Sequence, residues 1–347
     1  MSNTHGRYPL PIHGLFVLAL IFVVLLGMQA TSYLVNMFIL SLFFALLGIP
    51  LHLCLRRRLP DVISVSLILG LYLVLILGVL LLVFYSMGLL VSDIGTYQAE
   101  FAIRMNELFG FLSNYGINLD KCTLSSLIDW NQISSVLVSL GAQTGAILAD
   151  AFFVIVITGF MILEAPNVPG RLRRYLKISE EYVGTLEGMV KKVIEVMVVR
   201  TQTNIALGAV LSGYLWILGV DLAVLWGILC IVLSYIPYIG LIIAAVPAIF
   251  LAWLQYGLWG ALVVAAGVCV INFAVENVFF PHLAAKAFQL PALVIILALV
   301  LWTWVLGPVG MFMAIPLTVM IFLVLQAHTE TEWIPLVFGA GEEETEK

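Results

Sequence analysis

Ten apolar runs constrain this 347-residue chain more than any other feature. Four lie in the first half, at 12–29, 33–55, 62–91 and 147–163. Six follow in close order at 204–218, 222–236, 241–256, 258–280, 292–306 and 309–325. A membrane crossing takes about 20 mostly apolar residues through about 30 Å of hydrocarbon. Runs of about 15 residues reach only about 24 Å at 1.5 Å per residue, so some of the later ones are expected to be halves of re-entrant hairpins. The fold class this predicts is all-α: a polytopic helical membrane protein with about eight transmembrane helices and up to ten apolar segments. Composition agrees, with 63% apolar and 10% charged residues, where soluble domains have roughly 45–50% and 25%. No A-x-A-like cleavage site follows the first run, so it is expected to remain as an uncleaved helix.

Lysine and arginine give the orientation. Of the 15, seven fall between Arg171 and Arg200, and others sit at Arg7, Arg56, Arg57 and Arg58. Only Arg104 and Lys121 lie in the polar insert over 92–145. Loops rich in Lys/Arg stay in the cytoplasm, so an inner (plasma) membrane protein with both termini cytoplasmic is expected. The chain then divides into transmembrane helices 1–3 over 1–91, an extracytoplasmic amphipathic insert over 92–145, and a fourth transmembrane helix over 146–165. A basic cytoplasmic amphipathic helix over 166–202, a C-terminal membrane block with broken helices over 203–326, and an acidic cytoplasmic tail over 327–347 complete it. In the insert, Tyr97, Phe101, Met105, Leu108 and Leu112 repeat at helical spacing. In the basic helix Tyr182, Leu186, Met189, Val193 and Val196 do the same. Both stripes are expected to pack on the protein's own core, with a subunit contact or a helix lying in the headgroup plane as the alternatives.

Several activities are excluded. The net charge of −5 leaves no basic field for nucleic acid. Cys54, Cys122, Cys230 and Cys269 form no CxxC or Cys/His cluster, and the scattered His5, His13, His52, His282 and His328 read as residues of the membrane borders. No hydrolase, Walker or dinucleotide motif is present, so neither an enzyme nor a resident cofactor is expected. The residues leave a metal ion open.

Between Thr201 and Ala285 the only charged side chains are Asp221 and Glu276. Asp221 falls in the turn 219–222 and is expected to cap a helix. Glu276 lies inside an apolar run, four residues after Asn272 on one helix face and beside Asn277. A carboxylate at that depth costs on the order of 3 kcal/mol and faces a cavity or a partner. Glu276, Asn272 and Asn277 are therefore the transport and coupling candidates. The alternatives are a structural carboxyl hydrogen-bonded to Asn272 or another helix, and an interfacial position near Pro281 and His282. Two interrupted segments are the second pointer: Pro237, Gly240 and Pro247 in one, and Gly307, Pro308, Gly310 and Pro316 in the other. Such breaks free backbone carbonyls, which in a membrane are buried in protein or face a wet cavity. Paired breaks mark transporter sites, while ordinary kinks are the other reading. Arg200, Gln202, Thr203 and Asn204, with Tyr235 and Tyr238, are a smaller polar set; interfacial anchoring is the favoured reading for Arg200 and the tyrosines.

The run Tyr235-Ile-Pro-Tyr-Ile-Gly240 with Pro247, then Asn272…Glu276-Asn277-Val-Phe-Phe-Pro281, Pro291 and Gly310…Ala314-Ile-Pro316, resembles the AI-2E (autoinducer-2 exporter) family, formerly an uncharacterised permease family. The overall plan is similar along nearly the whole chain. The resemblance implies a secondary transporter that moves a small polar, autoinducer-2-like solute or exchanges Na⁺ or Li⁺ for protons. It also implies a homo-oligomer. The site is expected between the two broken segments, where Glu276 exchanges a proton or cation because burial favours the protonated form of a carboxyl. Partners are then membrane lipids and the small-molecule or ion substrate. An oligomeric passive pore and a membrane scaffold are the competing classes.

Overall fold

In hydrocarbon every backbone N–H and C=O must find its partner within the protein, and a helix does this within one segment. Helix is accordingly the only regular structure in the computed structural model, which describes residues 10–114, 129–176, 180–237, 239–280 and 290–326. Arg7, Lys121, Tyr238, Pro281, His282, Lys286 and the tail over 327–347 lie outside those residues. Five described helices are long and apolar enough to cross a bilayer: Ser32–Leu55, Asp61–Ser92, Gly145–Tyr175, Tyr182–Ile217 and Ile239–Phe279. Four shorter apolar helices accompany them. The chain is a polytopic helical membrane protein, and it forms two units.

The first unit, Met1–Phe43 with Gln289–Lys347, contains α1 (Leu10–Ala30) and the start of α2 (Ser32–Leu55). Its other helices are α11 (Ala292–Leu306), α12 (Pro308–Phe312) and α13 (Ala314–Gln326). The chain turns between α11 and α12 at Gly307, whose φ of 65° and ψ of −145° suit glycine alone. Three residues on, Gly310 lies so close to the Trp302 carbonyl that a Cβ would come within 1.9 Å of it. The carbonyls that end α11 have no helical partner. Gln29 Nε2 donates to Trp304 O at 3.0 Å and Asn36 Nδ2 to Leu306 O at 3.1 Å. Trp302 Nε1 donates to Thr318 Oγ1 at 3.1 Å, tying α11 to α13.

The second unit, Phe44–Phe288, begins with the end of α2, α3 (Asp61–Ser92), α4 (Ile94–Asn114) and α5 (Trp130–Ala142). Next come α6 (Thr144–Glu164), α7 (Val168–Leu176) and α8 (Glu180–Ile217). It closes with α9 (Ala223–Leu233), α10 (Ile239–Ala274) and a π-helical turn over Val275–Phe279. The expected boundary at 202/203 falls inside α8, which runs unbroken for 38 residues. Glycine opens the contact between α8 and α9: a Cβ on Gly208 would lie 2.4 Å from Gly227 O, and one on Gly227 would lie 2.7 Å from Gly208 O. His52, expected at a membrane border, is buried, with Nδ1 3.0 Å from Ser64 Oγ.

The insert stripe packs on this unit's core, with Tyr97, Phe101 and Met105 buried as expected and Phe109 joining them. Leu108 packs at its edge, and the side chain of Leu112 lies outside the description. In α8 Val193 is buried as expected and Leu186, Met189 and Val196 are half-buried, while Tyr182 is exposed and Val183 and Met197 are buried in addition.

Like α11 and α12, the two halves of α10 meet at a glycine, Gly257, with φ 73° and ψ −163°. Gly260, three residues on, would place a Cβ 2.7 Å from Ala252 O. The turn glycine, the close-packed glycine three residues later and the carbonyl five residues earlier match Gly307, Gly310 and Trp302. The carbonyls before the turn are again met by side-chain donors from elsewhere. Arg104 of α4 donates from Nε to Leu254 O and from Nη2 to Gln255 O, each at 3.0 Å, while Nη1 pairs with Glu107. Asp221 is not the cap of α9, a position held by Leu222; its carboxylate accepts from Tyr97 Oη, also on α4, at 3.0 Å. So α9 and the first half of α10 form a hairpin whose beginning and end are both fastened to α4. With 11 residues, α9 reaches about 16 Å, half a bilayer crossing.

Two measurements check these contacts. Gly257→Ala forces alanine into a glycine-only conformation and is expected to cost about 1–3 kcal/mol, seen as a lower Tm in detergent. Gly213→Ala, with nothing within 4 Å of its Cβ, should leave Tm unchanged or slightly raised. For the tether, burial and donation to Asp221 hold the Tyr97 phenol protonated well above its ordinary 10.0. A raised pKa means that this stabilisation is full below pH 10 and is lost as pH rises through the folded value. Tyr97→Phe should therefore cost about 1 kcal/mol by the same amount at pH 6 and pH 8; a difference between those two values would refute the assignment.

Candidate functional site

The hairpin tip and the π turn bring the polar residues of this unit together. At the tip α9 ends at Leu233, and Pro237 is buried. Gly240 makes the return possible, since a Cβ there would lie 1.8 Å from Leu233 O. A helix C-terminus carries partial negative charge and unpaired carbonyls, a natural place for arginine. Arg200 of α8 takes it, donating from Nη2 to Ser234 O at 3.3 Å. Its neighbour Thr201 holds the same tip through Tyr235, with the two hydroxyls 2.5 Å apart.

Arg200 also holds Glu276. Its Nη1 lies 3.1 Å from both carboxylate oxygens. The guanidinium is 17% exposed and the carboxylate 31%, so the pair is neither sealed nor freely solvated. The Phe280 ring covers the guanidinium at 5.7 Å. Glu276 stands in the π turn, where Phe280 N reaches back to Val275 O. Such wide turns occur often at functional sites, because the extra residue re-aims the side chains around it.

The lone carboxylate expected from the sequence thus has a cationic partner on another helix, and Arg200 is that partner instead of an interfacial anchor. The physical reason is economy of charge: two ions at membrane depth are far less costly together than apart. Asn277 is exposed and donates to Phe273 O at 3.1 Å, within its own helix. Asn272 is half-buried one turn before Glu276. Pro247 lies inside α10 with Gly240 and Glu276 in the second unit, while Gly307, Pro308, Gly310 and Pro316 belong to the first. The carbonyls freed at the breaks have side-chain donors: Arg200 at Ser234, and Gln29 and Asn36 at Trp304 and Leu306. Among the described residues no group of three His, Cys, Asp or Glu side chains is placed to hold a metal ion.

Removing one member of the pair leaves the other without compensation, which is worse than removing both. Arg200→Met alone is therefore expected to lower Tm in detergent more than Arg200→Met with Glu276→Gln. Equal losses would show that the pair is not coupled.

The model of the AI-2E family transporters matches residues 15–330. The chain is 30% identical to the AI-2 transport protein TqsA of Escherichia coli (strain K12) over 315 residues, covering 89% of this chain and 90% of that one. A putative transport protein of Haemophilus influenzae is 27% identical, with 94% and 96% covered. The putative transport protein YhhT of Escherichia coli (strain K12) is 23% identical, with 95% of each covered.

Proposed function

The chain belongs to the AI-2E family of transporters, and from that premise we propose that it is a secondary transporter whose coupled element is the Arg200–Glu276 pair at the tip of the α9–α10 hairpin. One observation carries this reading: a single arginine holds both the only charged residue of the π turn and the end of the hairpin. A proton or Na⁺ that reaches Glu276 competes with Arg200 for the carboxylate. Once Glu276 is neutralised, Arg200 is left with the tip alone, and the balance between closed and open arrangements shifts by that differential interaction. Asn272 and Asn277 flank the carboxylate as polar neighbours along the path.

The solute in this reading is small and polar, of the kind that the TqsA name specifies, AI-2. Exchange of Na⁺ or Li⁺ for protons is the other transport mode that a gated carboxylate supports. The lysine and arginine distribution supports an inner-membrane protein with both termini cytoplasmic, and the family supports a homo-oligomer.

The test is flux in liposomes holding the purified full-length protein, under an imposed pH or Na⁺ gradient. Wild type is expected to move AI-2, Na⁺ or Li⁺ in step with the gradient. Glu276→Gln should bring gradient-driven flux down to that of protein-free liposomes while the protein stays monodisperse. Undiminished coupled flux in that variant would remove Glu276 from the mechanism, and flux of any solute without gradient dependence would replace the carrier by a passive pore.

A further inference from the structure

The turn from α2 to α3 carries three arginines in succession, and the fold uses one of them. Arg56 Nε lies 2.7 Å from Asp61 Oδ1, and His52 Nε2 stands 4.0 Å from the same oxygen. His52 is buried, and its Nδ1 meets Ser64 Oγ at 3.0 Å, which ties the end of α2 to the start of α3. Arg58 N and Leu59 N both donate to Leu55 O, at 2.9 and 3.0 Å. The turn is thus held from both helices, with Arg57 and Arg58 at its end. Both are exposed, and among the described residues neither meets a carboxylate. The arginines of α7 differ: Arg171 pairs with Glu164, Arg173 pairs with Glu180 at 3.5 Å, and Arg174 lies over the Tyr175 ring at 5.8 Å. In addition, α3 begins after Pro60 with no side-chain cap, so the positive end of its dipole adds to the charge of the turn. Apolar surface starts directly beside the arginines. Leu51 and Leu53 on α2, with Val62, Ile63 and Leu67 on α3, are 41–67% exposed.

We propose that Arg57 and Arg58 form a binding site for the phosphodiester of an anionic phospholipid, whose acyl chains lie along the exposed apolar side chains of α2 and α3. The inference is independent of what the protein transports. Guanidinium forks match phosphate oxygens in geometry as well as charge. The Arg56–Asp61 pair is already balanced, so the two remaining charges of the turn define what the occupant carries. A soluble anion would answer the arginines and leave the apolar band beside them uncovered; a lipid answers both. The headgroup is anionic overall because a zwitterionic one brings an ammonium of its own to two guanidiniums, where like charges repel. Each basic side chain at an anionic lipid surface adds about fivefold to binding, so the pair gives about thirtyfold selectivity over a zwitterionic lipid. Because the turn is held by His52, Ser64, Arg56 and Asp61, little backbone ordering opposes binding.

The experiment is native mass spectrometry of the full-length protein in detergent, titrated with dioleoyl phosphatidylglycerol or dioleoyl phosphatidylethanolamine. Wild type is expected to retain the glycerol lipid about thirtyfold more tightly, to gain Tm with it and not with the ethanolamine lipid, and to keep it in the presence of millimolar inorganic phosphate. Arg57→Gln with Arg58→Gln should lose both the preference and the Tm gain. Arg57→Lys with Arg58→Lys should keep part of the preference through charge alone, and Arg173→Gln with Arg174→Gln should keep all of it. Where the double glutamine variant does not assemble, each single glutamine variant is read instead, with about a fivefold loss expected. Equal retention of the two lipids by wild type would overturn the site, as would a preference unchanged in the glutamine variants. Displacement by inorganic phosphate would make the turn a site for a free anion, and an equal loss in the Arg173 and Arg174 variant would replace the site by a diffuse basic field; either would overturn the proposal.

Discussion

A carbonyl that ends a helix inside a membrane has nowhere to turn but to the protein itself. This structure answers that constraint repeatedly, in each case with a polar side chain reaching over from another helix. Arg104 closes Leu254 and Gln255, Arg200 closes Ser234, and Gln29 and Asn36 close Trp304 and Leu306. Without them a broken helix would expose unpaired groups to hydrocarbon, at several kcal/mol each. With them the chain can stop, turn and return at depth. The turns at Gly257 and Gly307 and the tip at Gly240 all depend on this compensation, and so does the placing of every polar residue near Glu276.

Glycine does the steric half of the same work. A positive φ makes the reversal at Gly257 and Gly307, and a missing Cβ three residues later lets the returning helix lie against a carbonyl of the outgoing one. The same device at Gly208 and Gly227 brings α8 against α9. That close approach lets Arg200, on one helix, reach both the end of its neighbour and the π turn beyond. Electrostatics at the site thus follows from van der Waals contact elsewhere.

Much of this was legible in the sequence. The apolar runs broke at Gly257 and Gly307 where the helices do, and a carboxylate inside an apolar segment marked Glu276. Membrane helices announce themselves by length and composition, and a buried charge is conspicuous against that background. Partnership was not legible. Arg200 lies 76 residues from Glu276 and ends a basic segment, where an anchor is the ordinary reading. Asp221 sits in a polar turn, where a cap is ordinary, and only the packing of α4 reveals Tyr97 opposite it. The two breaks paired from sequence were those at Gly240 and Gly310; in backbone geometry the match is between Gly257 and Gly307. Proline drew attention to the first pair, while the glycine-x-x-glycine spacing that defines the second carries little contrast among 28 glycines.

The fastening of the hairpin to α4 has a mechanical corollary. A strip clamped at both ends to one support cannot slide along its neighbours as a piston does. Its freedom is that of a leaf spring, with displacement smallest beside Tyr97 and Arg104 and, once the hold of Arg200 and Thr201 is released, greatest at the tip. The insert thereby sets the stiffness of an element whose tip lies away from it, and a change in how α4 is seated would be felt at Arg200 without any contact between them.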